Sequence, residues 1–220
     1  MSTYLQIMKT PSMPDKDRSR KRMSGEDRRE QIVKVAAALF SKNGFRGTTT
    51  REIARKAGIS EAVIYKHFAK KEDLYKAIID ARCTDDSGQH LLINAIKGKE
   101  GREMFRDAAY YLITVNQNDP SFLRLLTFSA LEKHNLSEMF VKTKGLELFE
   151  FLKERIEELI KKGLFRPVDP AMAARAFTGM VLYYSFSQEL YGFKRYFRWK
   201  AQDVADAFVD LFFNGIEKKD

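Results

Sequence analysis

Apolar residues recur along this chain at helical spacing. Ile32, Val35, Ala36, Leu39 and Phe40 fall at i, i+3, i+4, i+7 and i+8, the stripe of a helix that buries one face. Ser24, with Asp27 three residues on, resembles a capping box at its start, and Gly44 suits its end. Thr48 and Thr49 offer hydroxyls to the free N–H groups of a short helix reaching about Ala57, with Ile53, Ala54 and Ala57 on one face. Gly58 stops that helix because glycine tolerates positive φ, Ile59 is an apolar plug in the turn, and Ser60 caps the next helix. There Ile64 and Phe68, four apart, face inward. At about 100° per residue, Ala62 and Lys66 then point outward with Val63 and Tyr65 beside them.

From about residue 89 onward the pattern stays helical, with no alternating strand signature and no Asn-Gly hairpin turn. Met104, Phe105, Ala108, Leu112 and Val115 mark one helix. Asp119-Pro120 is a cap followed by proline at the first helical position, opening a helix that holds Phe122, Leu123, Leu125, Leu126 and Leu131. Ser137 is a candidate cap for a long helix carrying Phe149, Leu152, Ile156 and Leu159 and closed by Gly163. Asp169-Pro170 repeats the cap-plus-proline signal for a helix reaching about Tyr191. After the FKRYFRWK connection a last helix runs from about Gln202 to Ile216. The predicted class is all-α.

Charge is distributed unevenly over this pattern. Residues 1–82 carry 19 Lys+Arg and 10 Asp+Glu, net +9, while residues 83–220 carry 20 of each. A basic half fits a polyanion, although a solvated face, a membrane surface or RNA would account for charge alone. Residues 1–23, with Pro11, Pro14 and the DKDRSRKR run, lack apolar periodicity and read as a disordered basic arm, either a minor-groove arm or a solubilising tail. No apolar run is long enough for a membrane span and the start lacks a secretory signal, so a cytoplasmic protein without membrane contact is expected. The lone Cys83 excludes an intrachain disulfide and reads as a small buried residue or a redox thiol. His67, His90 and His134 form no metal-ligand spacing, so neither metal nor cofactor is expected.

The outer face of the third helix, small in its first turn and polar in its second, suits a helix whose start meets base edges in a major groove while later residues reach phosphates. Gly44-Phe45, Thr48-Thr49, Ile53-Ala54, Ala57-Gly58-Ile59-Ser60, Ile64-Tyr65, His67-Phe68 and Lys71-Glu72-x-Leu74 together resemble the DNA-binding region of the TetR family of bacterial transcriptional regulators. Ala62 stands where that family often has glycine and is just as small. The resemblance implies double-stranded operator DNA as partner. The implied contact set is Thr48, Thr49, Arg51, Ser60, Glu61, Ala62, Val63, Tyr65, Lys66, His67 and Lys71.

It also implies about nine helices: a DNA-binding domain at 24–82, including a linking helix, and a ligand-binding and dimerisation domain at 83–220. In such proteins the last two long helices pair with those of a second subunit. The candidate faces are Met172, Ala176, Gly179, Met180 and Tyr183 in one helix and Val204, Phe208, Leu211, Phe212 and Gly215 in the other; each stripe is otherwise intrachain core. A cavity for a small apolar or amphipathic effector draws on Tyr111, Phe122, Leu126, Phe177 and Tyr184. Tyr110, Phe128, Phe140, Tyr183 and Phe186 extend the supply, and Arg124 and Arg175 are either anionic-group anchors or partners of Glu132 and Asp169. The function so implied is a sequence-specific DNA-binding regulator, a repressor released from its operator by its ligand. The rival is an architectural DNA-binding protein without a ligand. No G-x-S-x-G, P-loop, dinucleotide loop or His-x-x-x-His supports an enzyme.

Overall fold

The computed structural model describes residues 23–84, 90–133 and 135–217, and helices account for most of them. Four come first: α1 (Gly25–Asn43), α2 (Thr50–Ala57), α3 (Glu61–His67) and α4 (Lys71–Cys83). Then follow α5 (Leu91–Ile96), α6 (Gly101–Asn118), α7 (Ser121–Leu131) and α8 (Asn135–Phe140). A π-helical turn, Val141–Gly145, joins α8 to α9 (Leu146–Lys161), and α10 (Pro170–Glu189) and α11 (Ala201–Ile216) complete the chain. The basic arm and His134 lie outside the described residues.

Local chemistry sets most boundaries. Ser24 Oγ accepts the Asp27 amide at 3.0 Å while the Asp27 carboxylate accepts the Ser24 amide at 3.2 Å, the reciprocal box expected. Gly58 ends α2 in the left-handed region, φ 68° and ψ 34°. Asp169 Oδ1 accepts from the Met172 amide at 2.8 Å at the start of α10. Three caps differ from expectation. Pro120 rather than Asp119 occupies the N-cap position of α7, which begins at Ser121, while the Asp119 carboxylate accepts the Ser121 amide at 3.0 Å. Ser60 occupies the N-cap position of α3 but makes no side-chain cap bond, and α8 already begins at Asn135, two residues before Ser137. The helices exceed nine because α5, only six residues long, is too short for its apolar period to register, and because the π-helical turn divides the predicted long helix into α8 and α9.

Two hydrophobic cores form. In the larger, Phe105 from α6 meets Phe177 from α10 edge-on at 4.9 Å, and Phe212 and Phe213 from α11 at 5.5 Å each. In the smaller, Ile32, Ala36, Phe40, Ile53, Ile64, Leu74 and Ile78 from α1–α4 are fully buried together with Leu125 of α7 and Leu136 of α8. The N-terminal helices therefore do not close a core among themselves; α7 and α8 supply its last wall. No helix among the described residues is long and apolar enough to cross a membrane.

Candidate functional site

The α2–α3 pair is held at a fixed angle by its apolar underside and tied across its top by polar side chains. Thr50 Oγ1 donates to Glu61, whose other oxygen lies 3.9 Å from Arg51, and the Thr50 and Tyr65 hydroxyls are 3.3 Å apart. Ile64 and Phe68 are buried beneath, and the Arg29 guanidinium covers Phe68 at 5.1 Å. Ala62, Tyr65 and Lys66 are exposed on α3, Val63 and His67 half-buried, and Thr49, Arg51 and Ser60 exposed beside them. One polar and basic ridge results, low at the start of α3, where Ala62 adds only a methyl group.

Two residues expected on that ridge are turned inward. Thr48 is fully buried and its hydroxyl donates to the Gly44 carbonyl at 2.9 Å, so Thr49 alone caps α2, accepting the Glu52 amide at 3.1 Å. The Lys71 ammonium donates to the carbonyls of Phe45 at 2.8 Å and Thr48 at 2.9 Å and lies 3.8 Å above the Phe45 ring. Two of its three N–H bonds thus brace the α1–α2 loop. Burial pulls its pKa below the usual lysine range, against the pull of Glu72 and Glu132. From the other side Glu132, at the α7–α8 turn, accepts the amides of Phe45 at 3.2 Å and Arg46 at 3.4 Å. A side chain on Gly44, which has φ 72°, would run into that carboxylate.

A second site lies behind the linking helix. A cavity of about 790 Å³ is walled by α4 to α10 and the π turn, within the ~300–1,000 Å³ typical of small-molecule sites. Tyr111, Phe122 and Leu126 line it as expected, with Phe140, Tyr183 and Phe186. Phe177 and Tyr184 do not. Phe177 is fully buried between Phe105 and Phe212, and Tyr184 packs edge-on against Phe208 at 5.7 Å. At about 100° per residue, Tyr183 rather than Tyr184 faces the cavity. Tyr110, Phe128 and Arg124 are absent from the lining, whereas Arg175 is part of it. Neither arginine pairs with Glu132 or Asp169, since Glu132 serves the α1–α2 loop and Asp169 caps α10.

Three features here carry no sequence signal. Arg82 lies at the end of α4, with its guanidinium on the Asp119 carbonyl at 2.9 Å and carboxylate at 3.3 Å. Lys144 enters from the π turn, a geometry that apolar periodicity does not encode. His90 is buried with Nδ1 unpartnered, and burial, with Lys144 nearby, lowers its pKa against the opposing influence of Glu147. Cys83 is buried and its thiol pKa is pushed up to about 11 by burial, which favours the small buried residue over the redox thiol.

The sequence profile of bacterial regulatory proteins of the tetR family matches residues 32–78, and that of the AefR-like transcriptional repressor C-terminal domain matches residues 109–215. The chain belongs to the TetR family. Among TetR-family relatives, the operator-bound and isovaleryl coenzyme A-bound structure of AibR superimposes with a TM-score of 0.67 at 26% identity, over 84% of this chain and 98% of that one. KstR2 of Mycobacterium tuberculosis, an HTH-type transcriptional repressor, is 40% identical over 60 residues, 26% of this chain and 30% of that protein. The nucleoid occlusion factor SlmA of Vibrio campbellii is 26% identical over 164 residues, 70% of this chain and 80% of that protein. This family member is accordingly a DNA-binding transcriptional regulator, with α2 and α3 as its helix-turn-helix.

Proposed function

We propose that the protein is a homodimeric repressor that occupies an operator through α3 and leaves it when a small apolar or amphipathic molecule fills the cavity. One observation carries the ligand half of this reading. Phe122 and Phe140, in edge contact at 5.5 Å, line the cavity and also pack against the core that supports α1–α4. A molecule in the cavity is therefore one side-chain layer from the DNA-binding helices. AibR, whose complex holds both isovaleryl coenzyme A and operator DNA, supports such a pairing of sites.

In this reading Ala62, Val63 and Lys66 meet base edges, while Thr49, Arg51, Ser60, Tyr65 and His67 serve the backbone. Thr48, Glu61 and Lys71 hold the reader in shape. Met172, Ala176 and Tyr183 on α10 and Leu211 and Gly215 on α11 are exposed, forming an apolar face suited to a second subunit. Side chains added at Gly179 or Gly215 would meet nothing within 4 Å, which leaves room for a neighbouring helix to approach. Val204 and Phe212 belong to the intrachain core instead. Two-fold pairing sets recognition helices about one DNA turn, roughly 34 Å, apart.

Release follows from linkage. A ligand that prefers the spacing wrong for the operator lowers DNA affinity by its differential affinity for the two states, and a hundredfold loss needs about 2.7 kcal/mol of coupling. The likeness to SlmA supports the second reading, a DNA binder whose role is not ligand-controlled. Fluorescence anisotropy with the protein's own upstream DNA and a scrambled duplex, near physiological salt, tests the first. Selective binding that falls when a ligand is added is expected. Equal affinity for every sequence in a random-pool selection would overturn it in favour of the second.

A further inference from the structure

The cavity wall has a lopsided charge. Arg82, Lys144 and Arg175 contribute cations, and no carboxylate belongs to the lining among the described residues. Arg175 makes no ion pair among them. Lys144 is only 13% exposed, and its partner Glu147 stands at 3.4 Å, one helical turn away and outside the lining. Arg82 reaches Asp119, also outside the lining. The Cys83 thiol feels both Lys144 and Arg82, and the Tyr111 hydroxyl feels Arg82, so these groups share one corner. His90, nine-tenths buried, adds an unpartnered ring nitrogen to that corner. The π turn delivers Lys144 there, and such turns inside α-helices recur at functional sites because they re-aim the side chains around them. Away from the corner the wall is apolar: Leu126 of α7, Leu148 and Phe149 of α9, and Leu182 and Phe186 of α10.

We propose that the cavity takes an anionic amphiphile, its carboxylate or phosphate head group held between Lys144 and Arg82 and its apolar body lying along α7, α9 and α10. This rests on the ligand-controlled reading above and names the class of ligand. Lys144 and Arg82 each hold a single carboxylate outside the lining, and a ligand carboxylate or phosphate can share or replace it as a charge-assisted acceptor where a hydroxyl does so only weakly. The same anion competes with Asp119 for Arg82. Since Arg82 lies in the last turn of the linking helix and Asp119 sits between α6 and α7, exchanging the Asp119 carboxylate for the ligand loosens the tie between α4 and the α6–α7 junction, leaving only the bond to the Asp119 carbonyl from this arginine.

Calorimetric titration of the full-length protein without DNA tests the assignment, using decanoate, 1-decanol and decyl phosphate. Decanoate or decyl phosphate should bind at least tenfold more tightly than 1-decanol, and whichever of the two is tighter identifies the anion as carboxylate or phosphate. Lys144→Gln and Arg82→Gln should each lower affinity for the anion about tenfold and so erase its preference over 1-decanol, with far-UV circular dichroism checking that each variant is folded. Equal affinity for the alcohol and both anions, preference for the anion surviving in both variants, or no binding of any probe would overturn the proposal. Charge-selective binding that leaves operator affinity untouched would keep this assignment and remove the release reading. Release by 1-decanol as effective as by either anion would do the reverse.

Discussion

The recognition ridge and the cavity are both built from helices and both rich in polar groups, yet they treat those groups in opposite ways. On the ridge the polar side chains are tied to near neighbours: Thr50 to Glu61, Glu61 to Arg51 and Thr49 to the Glu52 amide. In the cavity the buried His90 Nδ1 stands without a partner among the described residues, and Arg82 and Lys144 have theirs only at the margin. A surface that must present one shape to a regular duplex is stiffened in advance. A chamber that must respond to a molecule keeps unsatisfied groups for it.

The largest test of this contrast asks whether the ridge owes its shape to the other domain. Leu125, 1% exposed on α7, is buried in the core of α1–α4. Leu125→Ala should cost roughly 2–5 kcal/mol, seen as a lower Tm and as faster hydrogen exchange in α1. Unchanged exchange there would mean that the N-terminal helices stand alone. Next in size, changing Val63 or Lys66 should alter base preference by about 1–3 kcal/mol at the affected position. A random-sequence selection with Lys66→Ala that returned the wild-type preference would remove that residue from the groove.

Glu132→Gln weakens the grip of α7–α8 on the α1–α2 loop, and a loss of about 1–2 kcal/mol of stability is expected, together with weaker operator binding that an added ligand no longer modulates fully. Thr50→Val deletes one tie across the ridge and should cost about 0.5–1.5 kcal/mol, read as lower affinity for all sequences alike. The smallest effect belongs to Cys83. With its pKa raised to about 11, its thiolate exists only well above neutrality. Iodoacetamide at pH 7.5 should therefore label the native protein far more slowly than the urea-unfolded chain, and equal rates would contradict the burial.

Residues that act on near neighbours were legible in the chain itself. The Ser24–Asp27 box, the glycine stop at Gly58, the Asp169-Pro170 start and the inward pair Ile64 and Phe68 are all set by backbone geometry and helical period, which operate over three or four residues. Exposure of Ala62, Tyr65 and Lys66 follows from the same period. Where the same reasoning assigned contact roles, it could not separate Thr48 from Thr49, because both have a hydroxyl and only the packing of Phe45 and Lys71 buries the first. Nor could it separate Phe177 from Phe186, since both are aromatic residues on one apolar helix and only α6 and α11 decide which side is core.

The sequence by itself determined the helical class, the helix-turn-helix and the segregation of basic charge, because each depends on short-range spacing or on composition. Tertiary structure alone decided that α7 and α8 complete the DNA-binding core, that a π turn carries Lys144 to the cavity, and that Arg82 meets Asp119, 37 residues away. Those outcomes rest on contacts between segments far apart in the chain, where many side chains of equal hydrophobicity compete for each place and volume, not periodicity, selects among them.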